Sequence, residues 1–340
     1  MDRRSLGFRA LAWLALALLA AAVVAAGGAW LWLQRPLALG APTVELSIES
    51  GDTPREVAQA WVDAGVRTPP WLLYEWFRWS GQARGIRAGS YEIGVGTTPV
   101  QLLAKIVQGK ETLESVRLPE GETLRQWRAA LAAAPYLKPS SAGLDDASLM
   151  AAVGAPGVPA EGRFFPDTYA YSRGVSDLTV LRRAHQAMQR RLAAAWSDRV
   201  PGTPLKSADE ALILASIVEK ETGRPDERGL VAGVFVNRLR RGMPLQTDPT
   251  VIYGLGTTFD GNLRKRDLLT DGPYNTYLRP GLPPTPIAMP SDASLRAAVK
   301  PTSTAALYFV ARGDGSSAFS ETLPEHNRAV DTFQRQKRRR

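Results

Sequence analysis

ILASIVEKETGRPDERGLVAGVFVNRLRRGMPLQTDP, residues 213–249, is the stretch from which the rest of the chain can be read. Leu212 to Val218 is almost wholly apolar, and Glu219 and Glu221 follow, with Thr222 and Gly223 behind them. Upstream, Ser207-Ala208-Asp209-Glu210 has the form of a capping box, which predicts a helix opening near residue 208. Gly223 and Pro225 stop it after about four turns. At roughly 100° per residue, Asp209, Ser216 and Lys220 form a narrow polar stripe, while both glutamates emerge from apolar faces. The wheel does not choose between them. The last turn of a helix carries partial negative charge, and apolar surroundings disfavour a carboxylate. Both effects raise a carboxyl group towards the range of a general acid, and Glu221 stands nearer the end. Either glutamate could instead form a structural ion pair with Arg224, Arg228 or Arg238.

Downstream, MPLQTDPTVIYGLG and DGPYNTYLRPGLPPTPIAMP collect groups suited to hydroxyls and amides. They supply Gln246, Thr247, Asp248, Thr250 and Tyr253, then Tyr274, Asn275, Thr276 and Tyr277. Aromatic faces beside amides and carboxylates suit a sugar-binding cleft, although each segment alone would serve as an ordinary turn.

Three upstream segments share the pattern G-x-T-x-x-[EQ]: Gly51–Glu56, Gly96–Gln101 and Gly121–Gln126. In each, Thr is placed as a helix N-cap and the residue three on can reach back; Pro54 and Pro99 fall at first helical positions. Alternating apolar residues precede each box and helical apolar spacing follows, so residues 42 to about 135 read as strand–turn–helix units. Residues 132–160 are rich in Ala, Pro, Ser and Gly and read as a connection. The aromatic run EGRFFPDTYAYSRG, from Glu161, is expected to dock on the following domain.

Ala10 to Leu33 is an unbroken apolar or Gly run of 24 residues, preceded by Arg3, Arg4 and Arg9 and closed by Trp30 and Trp32. Roughly 20 such residues cross a bilayer, and a cleaved signal has a shorter apolar core. The basic flank predicts a cytoplasmic N-terminus, with the bulk of the chain on the other side. The 340 residues allow roughly two domains. With no Cys, disulfides, thiol catalysis and a lipid-modified Cys are excluded; two separated histidines, His185 and His326, argue against a His-rich metal site. The net charge of +9 is partly a basic tail at 336–340, and no nucleic-acid motif accompanies it.

Four ordered blocks, ASIVEKET, VFVNRLRRGMPLQTDPTVIYG, PYNTYLRPGLPPTPIAMP and LYFVARGDGSSAFSETLPEHN, carry a specific resemblance. They resemble the YceG-like family of endolytic murein transglycosylases, and the likeness covers nearly the whole chain past residue 42. The resemblance implies an α+β protein with a single transmembrane helix, a LysM-like small domain and a larger mixed catalytic domain. The expected segments are a cytoplasmic N-terminus at 1–9, the span at 10–33, the LysM-like part at 42–110 and a connecting strand–helix unit and linker at 111–160. The catalytic part follows at 161–335, ahead of the basic tail. It further implies an inner-membrane protein acting on periplasmic peptidoglycan glycan strands, with no metal or cofactor; an anchor that holds the site near new strands points to peptidoglycan synthases as partners. The catalytic carboxyl carries over to Glu221, with Glu219 the alternative and Thr222 orienting the acid. Asn237, Gln246, Asp248, Thr250, Tyr253, Tyr274, Asn275 and Tyr277 carry over as substrate contacts. The chain departs from the family where Ser317 stands in place of a usual His. Two competing readings are a non-catalytic glycan-binding scaffold and a hydrolytic muramidase using Asp248 as its second carboxylate.

Overall fold

A computed structural model describes residues 3–49 and 51–335. The basic tail at 336–340 and the side chains of Arg3, Arg4 and Arg9 lie outside the described residues. The chain divides into two compact units, Met1–Glu114 and Ser115–Arg340.

The first unit begins with helix α1 (Arg3–Gln34), whose residues from Trp13 onward form an apolar stretch long enough to cross a membrane. Strand β1 (Thr43–Ile48), helices α2 (Pro54–Asp63) and α3 (Pro70–Trp79), strand β2 (Gly89–Gly94) and helix α4 (Pro99–Gln108) follow. The strands pair antiparallel, Thr43 opposite Gly94 and Ile48 opposite Gly89. Val44, Ile48, Tyr91 and Ile93 turn inward and meet Trp61, Phe77, Leu102 and Ile106 in one core. Trp32, near the end of α1, packs against that core, which ties the apolar helix to the globule.

The second unit opens with strand β3 (Leu113–Leu118), helices α5 (Leu124–Ala133) and α6 (Asp146–Ala152), and strand β4 (Asp167–Ser172), which pairs with β3. Helices α7 (Asp177–Ser197), α8 (Ala208–Glu221), α9 (Arg228–Arg240), α10 (Asp248–Leu255), α11 (Lys265–Leu269) and α12 (Asp292–Val299) come next. The antiparallel pair β5 (Tyr308–Ala311) and β6 (Ser317–Ser320) precedes α13 (Leu323–Val330). Two cores result. One gathers Trp127, Leu149, Met150, Phe164, Tyr169 and Tyr171 around the start of α7. The other packs α8 against α9 and α12.

All three G-x-T-x-x-[EQ] segments form complete capping boxes, at Thr53, Thr98 and Thr123, and a further one forms at Thr322. At α8 the expected box is half formed. Ser207 accepts from the Glu210 amide, but the Glu210 carboxylate takes the Lys206 amide at 2.6 Å. The stretch 132–160, expected as a connection, instead carries α6 and buries Leu137, Leu149, Met150 and Val153. Its small residues obscured a short helix that contributes only one apolar face. The aromatic run is buried, but not mainly on the following helices α8 to α12 as expected: Phe164, Tyr169 and Tyr171 join Trp127 and Leu149, and Phe165 alone reaches the α8 core.

Gly162 closes the turn that carries this run. It sits at φ +78°, and a Cβ there would lie 2.4 Å from Pro286 Cβ. Both a left-handed backbone and a ring stand against a side chain. Gly162→Ala is therefore expected to cost about 2–3 kcal/mol of stability, read as a lower urea midpoint. An unchanged midpoint would mean that the 286 segment yields freely.

Candidate active site

Helix α8 is buried along almost its whole length, from Ala211 to Val218. Its expected polar stripe is broken, because Ser216 is fully buried. The Ser216 hydroxyl donates to Ile213 O at 2.7 Å and accepts the Ile287 amide at 3.0 Å, clamping the 286–289 segment to the helix. A helix held this firmly presents Glu219 and Glu221 in fixed directions.

The two carboxylates meet opposite environments. Glu219 receives the Ser291 amide at 2.9 Å, the Ser291 hydroxyl at 2.5 Å and the Arg228 guanidinium at 3.4 Å. Its side chain is 4 % exposed, so this is a buried ion pair at the N-cap of α12. Glu221 has no cation beside it among the described interactions. Its Oε1 accepts a short hydrogen bond from the Thr247 hydroxyl. Burial drives its carboxyl up to about 7; the Thr247 bond opposes the rise and the nearby Asp248 carboxylate adds to it. At neutral pH Glu221 thus exchanges a proton readily, the property a general acid/base needs. Arg224, another expected partner, goes to Asp226 and Glu227 instead.

Thr247 reaches Glu221 because of how the 244–247 loop is held. Gln246 adopts φ +50°, a left-handed backbone unusual for a side-chain-bearing residue. Its amide donates to Thr276 O at 3.0 Å. Arg238 Nη1 holds Pro244 O, Leu245 O and Gln246 Oε1, each at 3.1 Å, while its Nε donates to Leu307 O at 2.7 Å. Arg238 is thus a loop organiser rather than a carboxylate partner. Asp248 opens α10 and accepts from the Tyr277 hydroxyl at 2.5 Å. Burial, then this bond, raises the Tyr277 phenol, and the Glu221 charge adds to the rise. Glu221, Thr247, Asp248 and Tyr277 therefore form one cluster.

Other residues expected to contact substrate have their polar groups engaged inside the fold. The Asn237 amide donates to Thr304 O and Ala306 O. The Asn275 amide donates to Leu268 O and Thr270 O, and its carbonyl accepts the Tyr277 amide. Thr250 is fully buried against Thr247 O and Thr276 Oγ1. Thr222, expected to orient the acid, accepts the Arg224 amide at 3.1 Å, and it is Thr247 that bonds Glu221. Tyr253 and Tyr274 pack edge to face at 4.9 Å, with the Tyr253 hydroxyl on Glu161 at 3.2 Å. Sequence reasoning placed Thr247 among the sugar-contacting groups and missed that it bonds the acid, took Arg238 for a carboxylate partner, and missed Glu161 as a site residue. Thr247 and Arg238 lay within quoted blocks, but nothing in their spacing marked these roles.

Replacing Thr247 by Val removes a donor to the charged form of Glu221. The carboxyl is expected to titrate at still higher pH, measured by NMR of a side-chain-labelled chain. An unmoved or lowered value would mean that the hydroxyl does not stabilise the carboxylate.

The YceG-like family model matches residues 46–332. This chain belongs to the YceG-like family. It is 31 % identical over 328 residues to the endolytic murein transglycosylase of Bacillus subtilis, covering 90 % of each chain. It is 26 % identical to the enzyme of that name from Streptococcus pneumoniae, covering 84 % of this chain and 58 % of that one. Among solved structures, a yceG-like protein of Listeria monocytogenes superposes with a TM-score of 0.55 at 30 % identity, over 84 % of this chain and 98 % of that one. The Ser317 backbone amide donates to the buried Glu227 carboxylate at 2.9 Å.

Proposed function

We propose that this protein is a membrane-anchored lytic transglycosylase that cuts peptidoglycan glycan strands internally, leaving 1,6-anhydro-MurNAc ends. The observation that carries the reading is Glu221: a buried carboxyl at about 7, held by the Thr247 hydroxyl and, among the described residues, paired with no cation. Family membership supports the reaction class.

Protonated Glu221 gives its proton to the oxygen joining MurNAc to the next GlcNAc. That bond breaks, and positive charge grows at C1, stabilised by the sugar's own acetamido group. The Glu221 carboxylate then takes the proton of the same sugar's 6-hydroxyl, whose oxygen closes on C1. One carboxyl is both acid and base, and no water is consumed. Thr247 holds the carboxylate; Gln246, Asp248 and Tyr277 supply polar contacts to the sugar beside it. Asn237, Thr222, Thr250 and Asn275 shape the backbone around these groups.

Helix α1 supplies the anchor, with the N-terminus cytoplasmic and the chain beyond the helix on the outer side of the inner membrane. The strand–helix–helix–strand order of the first unit supports a LysM-like, glycan-gripping part at 42–110. Peptidoglycan synthases are the partners this anchoring suggests; co-purification lost on deleting residues 1–35 would place the anchor in that association.

The test is digestion of purified glycan strands by the full chain in detergent micelles, with the new ends read by mass spectrometry in H₂¹⁸O. Anhydro ends without ¹⁸O are expected. A second reading, a hydrolytic muramidase, draws on the position of Asp248 beside Glu221, since glycosidases that use water need a second carboxylate. Reducing ends carrying ¹⁸O would establish it and sink the first.

A further inference from the structure

One cleft of the larger unit takes no part in this acid/base chemistry. It has a volume of about 830 Å³, within the range of small-ligand sites, and lies between the first turn of α5, the Glu161 loop and α10. Glu221 is not on its wall, but Lys220 and Pro249 are. These are the chain neighbours of Glu221 and Asp248, and consecutive Cα atoms are about 3.8 Å apart. The cleft therefore borders the chain segments that carry the acid and its neighbouring carboxylate.

The lining is both aromatic and cationic. Tyr253 and Tyr274 pack against each other, and Phe259 also lines the cleft. Arg125 is exposed and, among the described interactions, has no hydrogen bond or ion pair. Lys220 Nζ holds Gly121 O at 2.9 Å and keeps further donors free. The other cation, Arg128, is offset by Asp146 at 3.3 Å. The remaining acid, Glu161, is engaged by the Leu124 amide and the Tyr253 hydroxyl, and burial pushes its carboxyl up to about 7. Two cations that, among the described residues, lack acidic partners, in a cleft also lined by aromatic rings, suit an anionic ligand with flat amide groups. Neutral sugar hydroxyls would have no use for that charge.

We propose that this cleft binds the short acidic peptide attached to the lactyl group of MurNAc, with Arg125 and Lys220 on its carboxylates and the Tyr253–Tyr274 pair against its amides. The assignment rests on the reading that the substrate is peptidoglycan. It makes the enzyme one that prefers peptide-bearing strands over bare ones.

Binding separates this assignment from the chemistry. The full chain carrying Glu221→Gln, in detergent micelles, is titrated with glycan strands bearing their peptides and with the same strands stripped by an amidase. Peptide-bearing strands are expected to bind about tenfold more tightly, the scale of one charge-assisted contact. Arg125→Ala should erase that difference and leave the affinity for stripped strands unchanged, and Arg125→Lys should restore part of it. Equal binding of both strands by the parent chain would overturn the proposal, as would an equal loss on both from Arg125→Ala. Should the native chain produce no anhydro ends while the peptide preference persists, the lytic reading would fail and the cleft assignment would stand.

Discussion

Replacing Glu221 by Gln is expected to remove anhydro-end formation, with a rate loss of roughly 10²–10⁴-fold or more. The upper end is expected because, in the proposed reaction, one carboxyl delivers the proton to the leaving oxygen and takes the next from the 6-hydroxyl. Gln matches Glu in shape and still accepts the Thr247 hydroxyl, so the loop should stay in place. Stability should move the other way. The folded-state carboxyl lies above its ordinary value, so the native fold holds a proton that the unfolded chain releases. Its contribution is fully present below the ordinary carboxyl range and is lost as pH rises through about 7. Gln does not titrate. The variant should therefore be more stable than the native chain at pH 8, by up to about 3 kcal/mol, and show a flatter dependence of melting temperature on pH. Some dependence should survive, because Glu161 is raised in the same way. A variant that still produces anhydro ends would move the chemistry away from this residue.

Glu219→Gln should do the reverse. The lost charge leaves Arg228 buried without its carboxylate, and Arg228 Nε already has no partner among the described residues. It also weakens the grip on the Ser291 amide that starts α12. Breaking a buried ion pair from one side typically costs about 3–5 kcal/mol. The 3.4 Å contact and the Ser291 bonds that Gln can partly keep place this case near about 3 kcal/mol. A lower melting temperature with near-native turnover per folded molecule is the expected pair of results. Stable but inactive Glu219→Gln, with active Glu221→Gln, would exchange the two roles.

Much of the local structure was legible in the chain because its signals are local. A capping box needs one Thr and a partner three residues on, and Thr53, Thr98 and Thr123 all form one. The long apolar helix was legible from the unbroken run at 10–33, and the burial of α8 from its apolar residues, though not the burial of Ser216. The 132–160 segment was misread for the same reason in reverse. Its Ala and Pro content is a local signal of looseness, whereas Leu149 and Met150 gain their order from residues such as Phe164 across the core.

The choice between the two glutamates shows where local signals end. By itself the sequence determined that two carboxylates close an apolar helix, that the chain carries one apolar span, and that it belongs beside a known family. Helix periodicity could not separate Glu219 from Glu221, because both rise from apolar faces of one turn. Their difference lies in partners 72 and 26 residues away. Arg228 and the α12 N-cap come to one, and a hydroxyl on a strained loop comes to the other. A carboxyl's proton affinity depends on the charges and donors within a few ångströms of it. Only the tertiary structure decides which groups those are.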